Sequence, residues 1–171
     1  EDNRLSILQK YYKQEIEKVR KDHAAIQTLL DTDSTITFKE FSIPSAYPYF
    51  IYTNENLHYW SSNYFIPSYR KNVEKAGSES LLNEDSMYYV LVRTTLTRDG
   101  KRYDIVSTVD LLRNEKFIRN FRVPAYNTAI FFLKPEKISP ATFDQAMQVS
   151  SADGVPVFYT QVAENLNYLS W

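Results

Sequence analysis

Cysteine is absent from the chain, which removes disulfides, thiolate nucleophiles and cysteine metal sites together. The absence leaves the compartment open, because extracytoplasmic domains also do without it. Glycine is nearly absent too, with three residues. Gly100 and Gly154 each follow an aspartate in a turn-like context, and Gly77 lies in a polar stretch. None opens a phosphate-cradling loop, which needs several glycines for close backbone approach. No Gly-x-Ser-x-Gly nucleophile elbow occurs. Two histidines, His23 and His58, cannot build a histidine-rich metal site, and no helical metalloprotease motif is present. No spacing singles out a carboxylate pair for acid–base work. The chain is therefore expected to be no enzyme, with no catalytic residue, metal or cofactor.

Charge of one sign is also lacking. The formal net charge is −1, which gives no electrostatic case for nucleic acid or an acidic membrane surface. Lys13, Lys18, Arg20 and Lys21 are interleaved with Glu15, Glu17 and Asp22, and this mixture reads as a solvated helix face. No apolar run approaches the roughly 20 residues of a membrane span, and no signal peptide is visible. The sequence begins at Glu1 rather than methionine and stops at Trp171; both ends suggest a segment of a longer protein.

What is present is an ordinary globular composition, 43% hydrophobic and 24% charged, in a length that suits one domain with a core. Residues 4–30 read as one long helix. Leu5, Leu8, Tyr12, Ile16, Val19, His23, Ile26 and Leu30 recur at steps of three and four. Such a helix is about 40 Å long, so part of it is expected to project, as a dimer contact or a membrane-proximal stalk. The other reading lays it across a sheet.

Residues 46–171 read as mainly β, within a single domain spanning 1–171. Tyr49–Tyr52 and Leu57–Trp60 flank the turn Asn54-Glu55-Asn56. Residues 69–82 suggest a short helix and a loop. Residues 87–96 and 102–109 flank Arg98-Asp99-Gly100-Lys101 as a hairpin. A short helix is expected over 114–121, and a buried strand over 129–133 that ends at Pro135. Residues 147–149 and 155–159 flank Asp153-Gly154 as another hairpin. Asn56–Ser61 echoes Asn165–Ser170, which two hairpins of similar composition explain more cheaply than a duplication does.

Aromatic residues are abundant: fourteen tyrosines, ten phenylalanines and two tryptophans. Tyrosine and tryptophan combine apolar area with a polar handle, which suits pockets and recognition surfaces as well as cores. Tyr59, Trp60, Ser61, Ser62 and Asn63, followed by Tyr69 and Arg70, form the cluster of interest. A site is expected where this strand end meets Tyr88, Tyr89 and Arg93. Arg70 and Arg93 are candidate partners for carboxylate or phosphate, or else surface residues. His58 is a candidate ligand contact beside Trp60, whereas His23 lies on the helix stripe as a packing residue. Strand alternation puts His58, Trp60 and Ser62 on one side and Leu57, Tyr59 and Ser61 on the other. Trp60 is then either a pocket wall next to Arg93 or Tyr89, or plain core. The candidate ligand-binding set is Trp60, His58, Arg70, Tyr89 and Arg93.

The long helix followed by Phe50-Ile51-Tyr52-Thr53-Asn54-Glu55-Asn56-Leu57-His58-Tyr59-Trp60-Ser61-Ser62-Asn63 resembles the extracytoplasmic input domain of membrane sensor histidine kinases. There a strand, a polar turn and a second strand lead into a Trp-Ser-x-Asn segment, matched by Trp60, Ser61 and Asn63. The stretch from Tyr103 to Phe121 and the hairpin Asp153-Gly154-Val155-Pro156-Val157-Phe158 are similar as well. The resemblance implies an α+β, PAS-like or single-Cache-like fold: an antiparallel sheet with a long N-terminal helix packed against it and overhanging it. It also implies a ligand-sensing domain, periplasmic or extracytoplasmic, for an unknown small molecule. The full receptor would be a homodimer anchored by flanking membrane helices, with a kinase beyond this chain. The alternative is a non-catalytic protein-interaction module of a cell-envelope protein. A hydrolase with an unrecognised serine site is the remaining class.

Overall fold

The computed structural model describes residues 3–32, 43–84, 87–113 and 125–163. The apolar stripe becomes helix α1, Asn3–Thr32, about 45 Å long. Leu8, Tyr12, Ile16, Val19, His23, Ile26 and Leu30 are all buried, and Leu5 in the first turns is exposed. The stripe is thus covered from Leu8 to Leu30, which leaves no long projecting portion of the kind the sequence suggested. The mixed-charge face is not wholly solvated either, because Glu15 is buried and Arg20 is partly buried.

Among the described residues eight strands follow: β1 Tyr49–Thr53, β2 Asn56–Trp60, β3 Glu79–Glu84, β4 Met87–Arg98, β5 Lys101–Leu112, β6 Pro135–Ser139, β7 Met147–Ser150 and β8 Pro156–Val162. A turn of π-helix, Tyr69–Val73, lies between β2 and β3. The protein is therefore α+β with antiparallel sheets. The chain divides into two compact units. One takes the described residues of Glu1–Glu15, Asn83–Tyr89 and Asp110–Trp171; the other takes those of Ile16–Leu82 and Val90–Val109.

The second unit is built on the sheet β2-β1-β5-β4-β3. On one face Ile26 and Leu30 of α1 pack with Tyr49, Ile51 and Ile105. On the other, Tyr69 and Val73 pack with Phe50, Tyr52, Leu91 and Val106. Covering both faces explains why β1 and the middle of β5 are continuously buried rather than alternating. Both hairpin turns place two residues at positive φ: Asn54 and Glu55 at 47° and 71°, Asp99 and Gly100 at 51° and 76°. This is the twist-matched geometry of two-residue hairpin loops. The polar, half-buried β3 at the sheet edge was expected to be loop; edge strands carry little apolar signal.

The β1–β2 register slips between Ile51 and Tyr52, with Ile51 opposite Tyr59 but Tyr52 opposite Leu57. His58 is the extra residue of this bulge. Leu57 consequently packs with Tyr52 while Tyr59 packs on the α1 face with Tyr49. Simple alternation had put Leu57 and Tyr59 on the same side.

The first unit carries the sheet β6-β8-β7 and the N-terminal half of α1. Tyr12 meets Phe158 edge-on at 5.6 Å between centroids, and Phe131 lies 6.3 Å from Phe158. The Gln9 amide donates to the Ser150 carbonyl at 2.8 Å and accepts from its N–H at 2.9 Å. Residues 129–133 are turn, not strand: Ile130 and Phe131 donate their N–H groups to the Asn127 carbonyl, and the strand starts at Pro135. A short apolar run reports burial without reporting conformation. The expected helix over 114–121 and the echo at 165–170 lie outside the described residues.

Candidate functional site

Alternation along β4 and β5 sends Arg93 and Thr95, with Asp104, to the sheet face opposite α1. Asp104 is 1% exposed, and the donors converge on its carboxylate. Arg93 Nε donates to Oδ1 at 2.8 Å and the Thr95 hydroxyl donates to the same oxygen at 2.7 Å. Tyr69 of the π-helical turn donates its hydroxyl to Oδ2 at 3.0 Å, and Arg102 Nε lies 3.7 Å from that oxygen. Arg93 also donates through a terminal nitrogen to the Ala76 carbonyl at 3.0 Å.

The roof is the segment between β2 and β3. Its Ser68 hydroxyl caps the π-helical turn by accepting from the Lys71 N–H. The Tyr52 hydroxyl donates to the Pro67 carbonyl, and the Tyr52 and Tyr69 rings lie 5.5 Å apart. Burial, then the nearby Asp104 charge, raises the Tyr52 hydroxyl above its ordinary range. Burial first, then its hydrogen bond to Asp104, raises that of Tyr69 as well. Both phenols stay protonated as donors. With two guanidinium groups around one carboxylate, the cluster is a donor-rich polar site between a sheet and a roof.

A second polar group lies on the opposite face, against α1. His23 places Nδ1 2.8 Å from Thr94 Oγ1 and Nε2 2.8 Å from Ser107 Oγ. Burial, helped by the positive charge of Arg20, lowers the His23 imidazole to about 3, so it is neutral. Arg20 donates to the Arg93 carbonyl at 2.9 Å, to Thr94 Oγ1 at 3.0 Å and to the Ser78 carbonyl at 2.9 Å. His23 and Ser107 are each 1% exposed, so this Ser–His pair ties helix to sheet rather than facing a substrate.

Of the residues singled out from the sequence, Arg93 and Tyr69 stand in the Asp104 cluster, and of the candidate ligand-binding set only Arg93 does. Arg70 is exposed on the π-helical turn. Trp60 is 49% exposed on β2, opposite Phe50. Strands β1 and β5 separate it from β4, about 14 Å across the sheet. His58 is exposed in the bulge. Tyr89 is buried in the first unit, its hydroxyl 3.7 Å from Met87 Sδ. Asp104, Thr95 and Tyr52 lie outside the residues singled out, and Tyr69 outside the ligand-binding set. A signal for them exists: counting back from the two-residue Asp99-Gly100 turn sets Thr95 opposite Asp104 and Arg93 one same-face step away.

Among the described residues, no cluster of three or more His, Asp or Glu side chains is arranged to hold a metal ion. No described helix is long and apolar enough to cross a membrane. Searches against protein-family models, curated proteins and solved structures return no match to this chain.

Proposed function

We propose that the chain is a ligand-sensing input domain of a transmembrane sensor histidine kinase, PAS-like or single-Cache-like, working outside the cytoplasm as part of a homodimeric receptor. The observation that carries this reading is the Arg93–Asp104–Tyr69 cluster, a charged group set between the sheet and a separate roof segment. A buried ion pair is weak evidence for stability alone, since its desolvation cost offsets much of its attraction. A site whose charges are paired internally when empty, and re-paired with a small polar ligand when filled, gives the cluster a use. The long N-terminal helix on an antiparallel sheet is the arrangement the reading requires. A ligand then signals only through unequal affinity for two conformations.

The test is a thermal-shift screen of the full chain against small polar metabolites. A compound at 100 times its Kd adds about 2.7 kcal/mol of apparent stability. The expected result is at least one stabilising compound whose shift disappears in Arg93→Lys, because lysine lacks the planar fork. A panel without hits, or hits indifferent to Arg93 and Asp104, overturns the reading. The alternative, a non-catalytic protein-interaction module of a cell-envelope protein, is favoured by one observation. Trp60, Tyr64 and Ile66 are all exposed within seven residues, Tyr64 by 74%. Partner binding lost in Trp60→Ala with Tyr64→Ala, in a protein that ignores metabolites, would favour that module.

A further inference from the structure

Resting on the sensing reading, we infer that Arg20 is the residue through which the roofed site sets the position of helix α1. Apart from the His23 bridge, the helix–sheet interface around it is packed with apolar side chains, with Val19, Ile26, Ile51 and Ile105 buried. Apolar contacts are non-directional and tolerate small slips. Hydrogen bonds have preferred distances and angles and do not. Arg20 has three such bonds, and each ends on an atom adjoining the site.

Two of the acceptors are the carbonyl of Arg93 and the hydroxyl of Thr94. The Arg93 side chain leaves β4 on the opposite sheet face, where it holds Asp104 of β5. The third acceptor is the carbonyl of Ser78, which also accepts the Arg93 N–H at 2.9 Å. Ser78 stands two residues after Ala76, whose carbonyl the Arg93 guanidinium grips from the site side. Segment 76–78 is therefore held by Arg93 from one face and by Arg20 from the other. His23 adds a bridge from α1 to Thr94 on β4 and Ser107 on β5, next to Arg93 and three residues from Asp104.

A change that separates Arg93 from Asp104, or lifts segment 76–78, moves the acceptors of Arg20. The helix follows, because its register depends on those bonds. Coupling of this kind is reciprocal, so displacing α1 also loosens the Arg93–Asp104 pair.

Hydrogen exchange of the full chain tests this without any ligand. Asp104→Asn keeps the shape of the side chain and weakens its hold on Arg93. Exchange in α1 residues 19–30 is expected to rise about fivefold or more, the lower end of typical site-to-site coupling. The same substitution in an Arg20→Gln background is expected to add little further exchange there. Thr94→Val, which removes one acceptor while leaving Arg20 in place, gives an intermediate effect and serves if Arg20→Gln does not fold. Equal, additive effects of the two substitutions, or a rise spread evenly over β1 and β5 as well as α1, overturn the proposal. A metabolite that depends on Arg93 in the thermal-shift screen, found alongside additive exchange, preserves the sensing reading and removes only the role of Arg20. Strong non-additivity without any ligand hit does the reverse: the coupling stands and the sensing reading falls.

Discussion

Asp104 illustrates how a single side chain becomes decisive when its neighbours commit their donors to it. Arg93, Thr95 and Tyr69 all donate to its two oxygens. Asp104→Ala leaves a largely buried guanidinium and two hydroxyls without their acceptor, and is expected to cost about 3 kcal/mol. Thr95→Val removes one donor from a carboxylate that keeps the others, and should cost about 1 kcal/mol. Urea unfolding of both variants checks the ordering; equal losses would show that Asp104 is not the hub. His23 gives a pH signature of opposite origin. Its imidazole is lowered to about 3 in the fold, chiefly by burial, against an ordinary value near 6.5. Above pH 6.5 both folded and unfolded forms are neutral and its contribution is complete. As pH falls through 6.5 the unfolded chain takes up the proton and the folded one does not. Stability is therefore lost from about pH 6.5 down to about 3. Between pH 7 and pH 5 the loss from this residue is about 2 kcal/mol. Denaturant titrations at both pH values, with His23→Gln as the reference, measure it; an identical pH slope in the variant would refute the assignment.

At the scale of elements, the two positive-φ hairpin turns differ in one informative way. The β4–β5 turn puts glycine at its second position, whereas the β1–β2 turn puts Glu55 there at φ 71°. A left-handed non-glycine residue is strained, so Glu55→Gly is expected to raise stability by about 0.5 kcal/mol. A thermal melt that shows a clear loss would mean the Glu55 side chain contributes more than its backbone costs. The elements themselves were largely legible: the α1 stripe, the three hairpins and their turns all follow from period and turn chemistry. What failed has physical reasons. The β3 strand is polar because it is an edge, and Ile130, Phe131 and Leu133 in the run 129–133 are apolar because they are buried, not because they are extended. The His58 bulge is invisible to alternation, since one inserted residue keeps every side-chain type unchanged while reversing the faces beyond it. The expected site failed for a related reason. Adjacency along the chain near Trp60 does not carry over to the sheet, because β1 and β5 lie between β2 and β4.

For the whole molecule, the α+β class was readable but the division into two compact units was not. Leu8 and Tyr12 belong to one unit while Ile26 and Leu30 belong to the other, yet they continue one stripe at one spacing. Periodicity reports that a face is covered, not by what. The same economy appears where Gln9 meets Ser150. β7 is the outermost strand of the order β6-β8-β7, and Gln9 engages the N–H and the carbonyl of Ser150 as a neighbouring strand would. An amide side chain thus stands in for backbone at a sheet margin that would otherwise template pairing with another chain. Gln9→Ala should leave the chain folded, at a cost of about 1–2 kcal/mol for two lost bonds, but make it sticky. Light scattering across a concentration series should then show self-association that the unaltered protein lacks at the same concentrations. If the variant stays monodisperse, some other group guards that margin. On this reading, Gln9 acts as a gatekeeper against misassembly, a role separate from anything the chain does with a ligand.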